Sequence, residues 1–128
     1  LLLEGDGVAL VAEVRAGRIS RVDLASGTRT TLVEGLDRPT GLARLADGRL
    51  VVVEPYRSRV VAIEPRSGAR TVLATGLALS LEGLDLPKNT NAGVVVDRDG
   101  SVYVSCPGDN SIVRIVLAGA RSTRGRTQ

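Results

Sequence analysis

Arg38-Pro-Thr-Gly-Leu-Ala-Arg-Leu-Ala-Asp-Gly-Arg-Leu-Val-Val-Val-Glu-Pro-Tyr-Arg-Ser-Arg-Val-Val-Ala-Ile-Glu-Pro-Arg-Ser-Gly-Ala-Arg-Thr-Val-Leu-Ala74 is the stretch that decides the fold. It reads as four short apolar strands separated by three turns. Leu50–Val53 is a run of β-formers bounded by Asp47-Gly48 and Glu54-Pro55. Val60–Ile63 follows a polar turn, and Arg70–Ala74 follows Ser67-Gly68. Both Gly residues supply the positive φ that tight hairpins need. No window sustains an apolar period of 3.6, so strands are expected throughout.

The stretch repeats on both sides of itself. Asp6-Gly7 and Asp47-Gly48 lie 41 residues apart, and Glu13/Glu54, Gly27/Gly68, Leu32/Leu73 and Gly35-Leu36/Gly76-Leu77 keep the same spacing. The next interval, Asp47-Gly48 to Asp99-Gly100, is 52, and Gly41/Gly93, Pro55/Pro107 and Arg59-Val60/Ser111-Ile112 share it. The additional 11 residues therefore fall between Leu77 and Gly93. A period of about 40–45 residues built from four strands is the signature of a propeller blade. The expected fold is all-β, a run of β-propeller blades, each a four-stranded antiparallel meander, forming an incomplete ring of about 2.7 blades. Residues 1–117 make up the partial propeller, with blades over 1–35, 36–77 and 92–117 and an insertion over 78–91. Residues 118–128 read as a basic disordered tail. The first blade should lack most of its inner strand, with strands at Val8–Val14, Arg18–Leu24 and Thr28–Val33. The third should show three strands and no fourth. Gly41 and Gly93 open inner strands near the axis, and neither is expected to tolerate enlargement.

Asp99-Gly-Ser-Val-Tyr-Val-Ser-Cys-Pro-Gly-Asp-Asn-Ser-Ile-Val-Arg-Ile115 resembles an NHL repeat, and Pro39-Thr-Gly-Leu-Ala43 resembles the segment that opens such a blade. The resemblance reaches to about Val116. It implies a six-bladed propeller in the parent, with protein and nucleic-acid binders among its members. A chain of 128 residues is too short for six blades, so a fragment of a longer propeller is expected. A half-propeller pairing with a second copy is the other possibility, since open blade edges invite self-association.

Composition removes several chemistries. There is no His, so Ser-His-Asp and Cys-His catalysis and His/Cys zinc sites within this chain are excluded. Cys106 is alone and reads as a small core or turn residue. Hard-cation sites of carboxylates and amides remain. Arg121, Arg124 and Arg126 account for the net charge of +3, and residues 1–117 carry 14 basic and 14 acidic groups. A nucleic-acid stripe is therefore not expected. No apolar run approaches the length of a membrane-spanning helix, and Leu1-Leu-Leu3 is too short for a signal peptide, so the compartment stays open.

In an antiparallel meander the second and fourth strands end on the same side. Glu13–Gly17, Glu54–Arg57 and Cys106–Asn110 should therefore share a face with Leu36–Thr40 and the insertion. The ligand-face candidates are Arg38, Thr40, Tyr56, Arg57, Lys88, Asn89, Asn91, Asp109 and Asn110. They suit a protein partner or a small polar, sugar-like ligand, with no catalytic residue and no cofactor evident. Arg44 is placed to reach the channel or a neighbouring blade. Leu79, Leu81, Leu84 and Leu86 suggest that part of the insertion packs down as a lid.

A more distant resemblance is to the gluconolactonase-like and strictosidine-synthase-like propellers. Asn91-Ala-Gly93 followed by Asp97 is similar to the Asn-Asp-Gly…Asp segment of the gluconolactonases. That resemblance implies a lactone hydrolase or related sugar-processing activity with a divalent cation, Ca or Zn, for which Glu13, Glu54 and Asn91 are the candidate ligands. Ala92 replaces the family's Asp, with one extra residue before Asp97, and Thr40 stands where the family has a metal-binding Asn. A virginiamycin-lyase-like propeller also resembles the pattern, but that chemistry is expected to need a His base. The sequence thus favours an NHL-type binding scaffold, with the lactonase as alternative.

Overall fold

The structure, a computed structural model, describes residues 1–80 and 92–117. The basic tail and most of the insertion, with Leu81, Leu84, Leu86, Lys88, Asn89 and Asn91, lie outside the described residues.

Three antiparallel sheets follow one another along the chain. The first blade contains β1 (Leu2–Leu3), β2 (Val8–Glu13), β3 (Arg18–Asp23) and β4 (Arg29–Val33). The second contains β5 (Gly41–Arg44), β6 (Leu50–Glu54), β7 (Arg59–Ile63) and β8 (Arg70–Ala74). The third contains β9 (Val94–Val96), β10 (Val102–Cys106) and β11 (Ser111–Ile115). Neighbours in sequence are neighbours in each sheet, so every blade is a meander. The shortened inner strand of the first blade is the two-residue β1, paired through Leu2↔Leu10 and Leu3↔Ala9.

The 41-residue period survives at the level of register. Glu13 sits opposite Arg18 as Glu54 sits opposite Arg59. The bulge between Ile19 and Ser20 recurs between Val60 and Val61. Cys106 opposite Ser111 is the third copy of the first pairing. After β2, β6 and β10 the turn closes on a residue of positive φ at one repeat position: Gly17 (66°), Ser58 (51°) and Asn110 (58°).

The blades stack face to face, and two cores lie between them. Leu10, Ile19, Val33 and Leu36 of the first blade meet Leu42, Leu50, Val52, Val61 and Ile63 of the second. Ala43, Val51, Val53, Val60 and Ala62 meet Leu79, Ala92, Val102, Val104 and Cys106. β6 is therefore buried on both faces, which explains why it is a continuous apolar run rather than an alternation. Each such Val removed from water stabilises the stack by roughly 1.5–3 kcal/mol. Blade 3 is covered on one face only. Ile112, at the repeat position of the fully buried Ile19 and Val60, is 74% exposed because no further blade covers that face among the described residues.

The two inner-strand glycines differ, contrary to the sequence expectation. A Cβ on Gly41 would lie 2.9 Å from the Ala92 carbonyl oxygen, in the crowded seam between blades 2 and 3. Gly93 is exposed, and a Cβ there would meet only Ser105 Oγ at 3.5 Å. β9 begins at Val94, and Gly93 faces away from the seam.

Candidate functional site

Among the described residues, the loops predicted to share a face are fastened to one another by backbone hydrogen bonds. Leu36 N–H donates to Gly17 O (2.8 Å), Leu77 N–H to Ser58 O (3.1 Å), and Gly108 N–H to Ala78 O (2.9 Å). Each turn after a second strand is thus tied to a connection leading out of an outer strand. Leu79, the first leucine of the insertion, is fully buried in the core beneath this face.

On blade 2 this brings Arg38, Tyr56 and Arg57 together. Arg38 has φ 47°, an unusual backbone for a non-glycine residue. Its guanidinium carbon lies 4.1 Å from the Tyr56 ring centroid, a stacked cation–π contact. Asp37 sits between the two arginines, with Arg38 Nη1 3.7 Å and Arg57 Nε 3.4 Å from its carboxylate oxygens. Thr40 is turned toward the blade seam instead: its hydroxyl donates to the Ala92 carbonyl at 3.3 Å. Asp109 accepts from the Ser111 N–H at 3.1 Å and so fixes its own turn, with Asn110 supplying the left-handed residue. Arg44 reaches the neighbouring blade at the other end of β5, where it bonds Glu4 and the Gly48 carbonyl.

Glu13 and Glu54 occupy one repeat position and have one kind of partner. Glu54 is fully buried and accepts from Arg59 Nε (2.7 Å) and from the Asp37 N–H (2.7 Å). Glu13 accepts from Arg18 Nε (2.8 Å), from Arg29 Nη1 (3.2 Å) and from the Ser20 hydroxyl. Oxygens already committed to guanidiniums, whose charge repels a cation, do not fit a divalent metal. No three carboxylates or thiols cluster among the described residues.

The hydrogen bonds from Arg18, then Ser20, outweigh desolvation and lower the Glu13 carboxyl from 4.5 to about 2. Backbone N–H donors also hold Asp23, Asp47 and Asp99 below the usual carboxylate range, from Ser26, Arg49 and Ser101 respectively. These groups bind protons more weakly folded than unfolded. Their stabilisation is complete above the unfolded pKa and is lost as pH falls through the folded one. The urea midpoint should therefore fall steadily from about pH 5 toward about pH 2. Glu13→Gln should flatten that fall, and an unchanged slope would show that Glu13 is not ion-paired in solution.

Asp37 and the arginine partners Arg18 and Arg59 did not emerge from sequence reasoning as parts of the site. The Glu-to-Arg separation of five residues, repeated 41 apart, was the readable signal for the two pairs. Asp37 carried none, because its position depends on the left-handed turn at Arg38.

No protein-family model matches the chain, and no curated protein matches it. Solved structures do match in shape. The selenomethionine-substituted virginiamycin B lyase from Staphylococcus aureus aligns with a TM-score of 0.60 at 19% identity, over 94% of this chain and 36% of that one. XC5397 from Xanthomonas campestris, a gluconolactonase, aligns with a TM-score of 0.65 at 17% identity, over 85% of this chain and 40% of that one. A chain of a nidogen/laminin complex aligns with a TM-score of 0.55 at 20% identity, over 86% and 44%. The chain thus spans less than half the length of each. These likenesses define the fold, and the three meanders are successive blades of a partial β-propeller. Proteins of that fold perform unrelated tasks, so the task rests on the site.

Proposed function

We propose that this chain is part of an NHL-type propeller that binds a ligand on its loop face and performs no chemistry through the residues described. The observation that carries this reading is the exposed Arg38–Tyr56–Arg57 group around Asp37. The Pro39–Ala43 and Asp99–Ile115 patterns support the NHL-type assignment. An aromatic face beside exposed donors suits a small polar or sugar-like ligand, or a side chain of a protein partner. The chain has two tyrosines and no tryptophan, so a Tyr103→Phe variant leaves Tyr56 as the single tyrosine reporter at the site. Its ring resonances should move saturably with a ligand of this face. Resonances unmoved across sugars, sugar acids and peptides would sink the reading.

The lactonase-like reading differs from it in one cheap measurement. A cation that binds only the folded state raises the melting temperature. Because Glu13 and Glu54 are held by arginines, CaCl2 or ZnCl2 at about 1 mM is expected to leave the melting temperature unchanged. A rise of several degrees that Asn91→Ala abolishes would favour the metal-dependent hydrolase instead.

A further inference from the structure

We infer that the loop face of blade 2 recognises a carboxylate group gripped jointly by Arg38 and Arg57, an inference that rests on the binding role proposed above. The two guanidiniums flank one carboxylate, that of Asp37, at 3.7 Å and 3.4 Å. These separations exceed the roughly 2.7–3.2 Å of a well-formed hydrogen bond. Neither arginine makes a side-chain hydrogen bond among the described residues, and their side chains are 54% and 56% exposed. Several arginines of the fold are committed instead, whereas Arg15, Arg21, Arg66 and Arg98 share with Arg38 and Arg57 the lack of a side-chain hydrogen bond among the described residues. Arg18, Arg59, Arg70 and Arg114 each donate to protein acceptors. Among the described residues, Arg38 and Arg57 therefore keep unspent donors.

The platform that carries them is pinned. Leu36 N–H is bonded to Gly17 O, Asp37 N–H to buried Glu54, and Thr40 N–H to Val53 O at 3.1 Å. Stacking on Tyr56 fixes the plane of the Arg38 guanidinium. A receptor ordered before its ligand arrives loses less entropy on binding.

Charge and shape select the ligand. Among the described residues, two guanidiniums against one aspartate leave one positive charge in surplus, while Glu54 is matched by Arg59. Guanidinium groups donate and cannot accept, so they favour a group made of acceptors over a hydroxyl, which needs both. A planar carboxylate meets a guanidinium edge bidentately and carries the single negative charge that the surplus matches. A phosphate dianion brings more charge than the site offsets.

The test uses the 128-residue chain with Tyr103→Phe. The Tyr56 ring resonances are followed at low salt while D-glucuronate, D-glucose or inorganic phosphate is added. Glucuronate should bind about tenfold or more tightly than glucose, since only glucuronate carries the carboxylate that the two guanidiniums grip. Arg38→Gln and Arg57→Gln should each weaken glucuronate about tenfold, and Arg66→Gln, on the far turn between β7 and β8, should not. Asp37→Asn should strengthen it several-fold by removing the internal competitor. That gain is a result that a merely structural role for these residues would not produce, and melting curves verify that each variant is folded. Glucose binding as well as glucuronate would overturn the carboxylate class and leave the binding face intact. Phosphate binding more tightly than glucuronate, or Asp37→Asn weakening binding, would also overturn it. Tyr56 resonances indifferent to all three probes would remove both the class and the face.

Discussion

Glu54→Ala lowers the stability of the chain by about 3–5 kcal/mol, the loss expected when one partner of a buried ion pair is deleted. The side chain is 1% exposed and bridges two elements. Its carboxylate accepts from Arg59 on β7 and from the Asp37 amide in the connection between blades. Deletion strands both donors and leaves a cavity at the end of β6. Arg59 is 25% exposed and can recover some hydration, which places the expected loss at the lower end of that range. Glu54→Gln keeps an acceptor for the Asp37 N–H and gives up the charge, so it should lose less. Blade 3 shows that the position admits another solution, with buried Cys106 opposite Ser111. Copying it, Glu54→Cys with Arg59→Ser, should therefore destabilise by less than its two single replacements summed. The measurement is the urea midpoint of the parent, of Glu54→Ala and Glu54→Gln, and of the two single replacements and their combination. A Glu54→Ala midpoint equal to that of the parent would show that Glu54 does not bridge the blades.

Much of this arrangement is written locally in the chain. The Asp-Gly and Ser-Gly turns, the 41-residue period and the two-sided apolar run of β6 fix strands, order and stacking before any contact is known. So is the shared face of the loops, which follows from alternating strand direction. The ion pairs are half legible: Glu13 and Glu54 stand out by repetition, but an acidic residue at a propeller mouth reads equally as a metal ligand or as a partner for arginine. Only the register placing Glu54 opposite Arg59 decides between them. The Arg38–Tyr56 stack was legible only as two residues on one face. Its geometry depends on a left-handed turn at Arg38, where no glycine or asparagine advertises it. Gly93 shows the opposite failure. It matches Gly41 in sequence, yet crowding belongs to the surroundings, and blade 3 supplies none there.

Gly41→Val should destabilise by about 3 kcal/mol, at the upper end for overpacking a filled interior. Its φ is ordinary, so the penalty is steric and comes from outside β5. The new Cβ would sit 2.9 Å from Ala92 O, 3.1 Å from Val53 Cγ2 and 3.2 Å from Val94 Cγ1. The two valines can rotate, but the carbonyl belongs to the backbone leading into β9 and cannot move alone. It also accepts the Thr40 hydroxyl, so displacing it breaks a contact between blades. Gly41→Ala carries the same first clash without the branching methyls and should lose about half as much. Gly93→Ala, whose Cβ would make only an ordinary contact with Ser105 Oγ at 3.5 Å, should stay within about 0.5 kcal/mol of the parent. The pair separates two explanations of the repeated glycine. If backbone freedom were the requirement, both substitutions would destabilise alike. If close approach of β5 to β9 is the requirement, only Gly41 is sensitive, and the denaturation midpoints of the Gly41 and Gly93 variants will diverge. Equal midpoints would place the blade seam elsewhere and with it the edge of the loop face that Thr40 anchors.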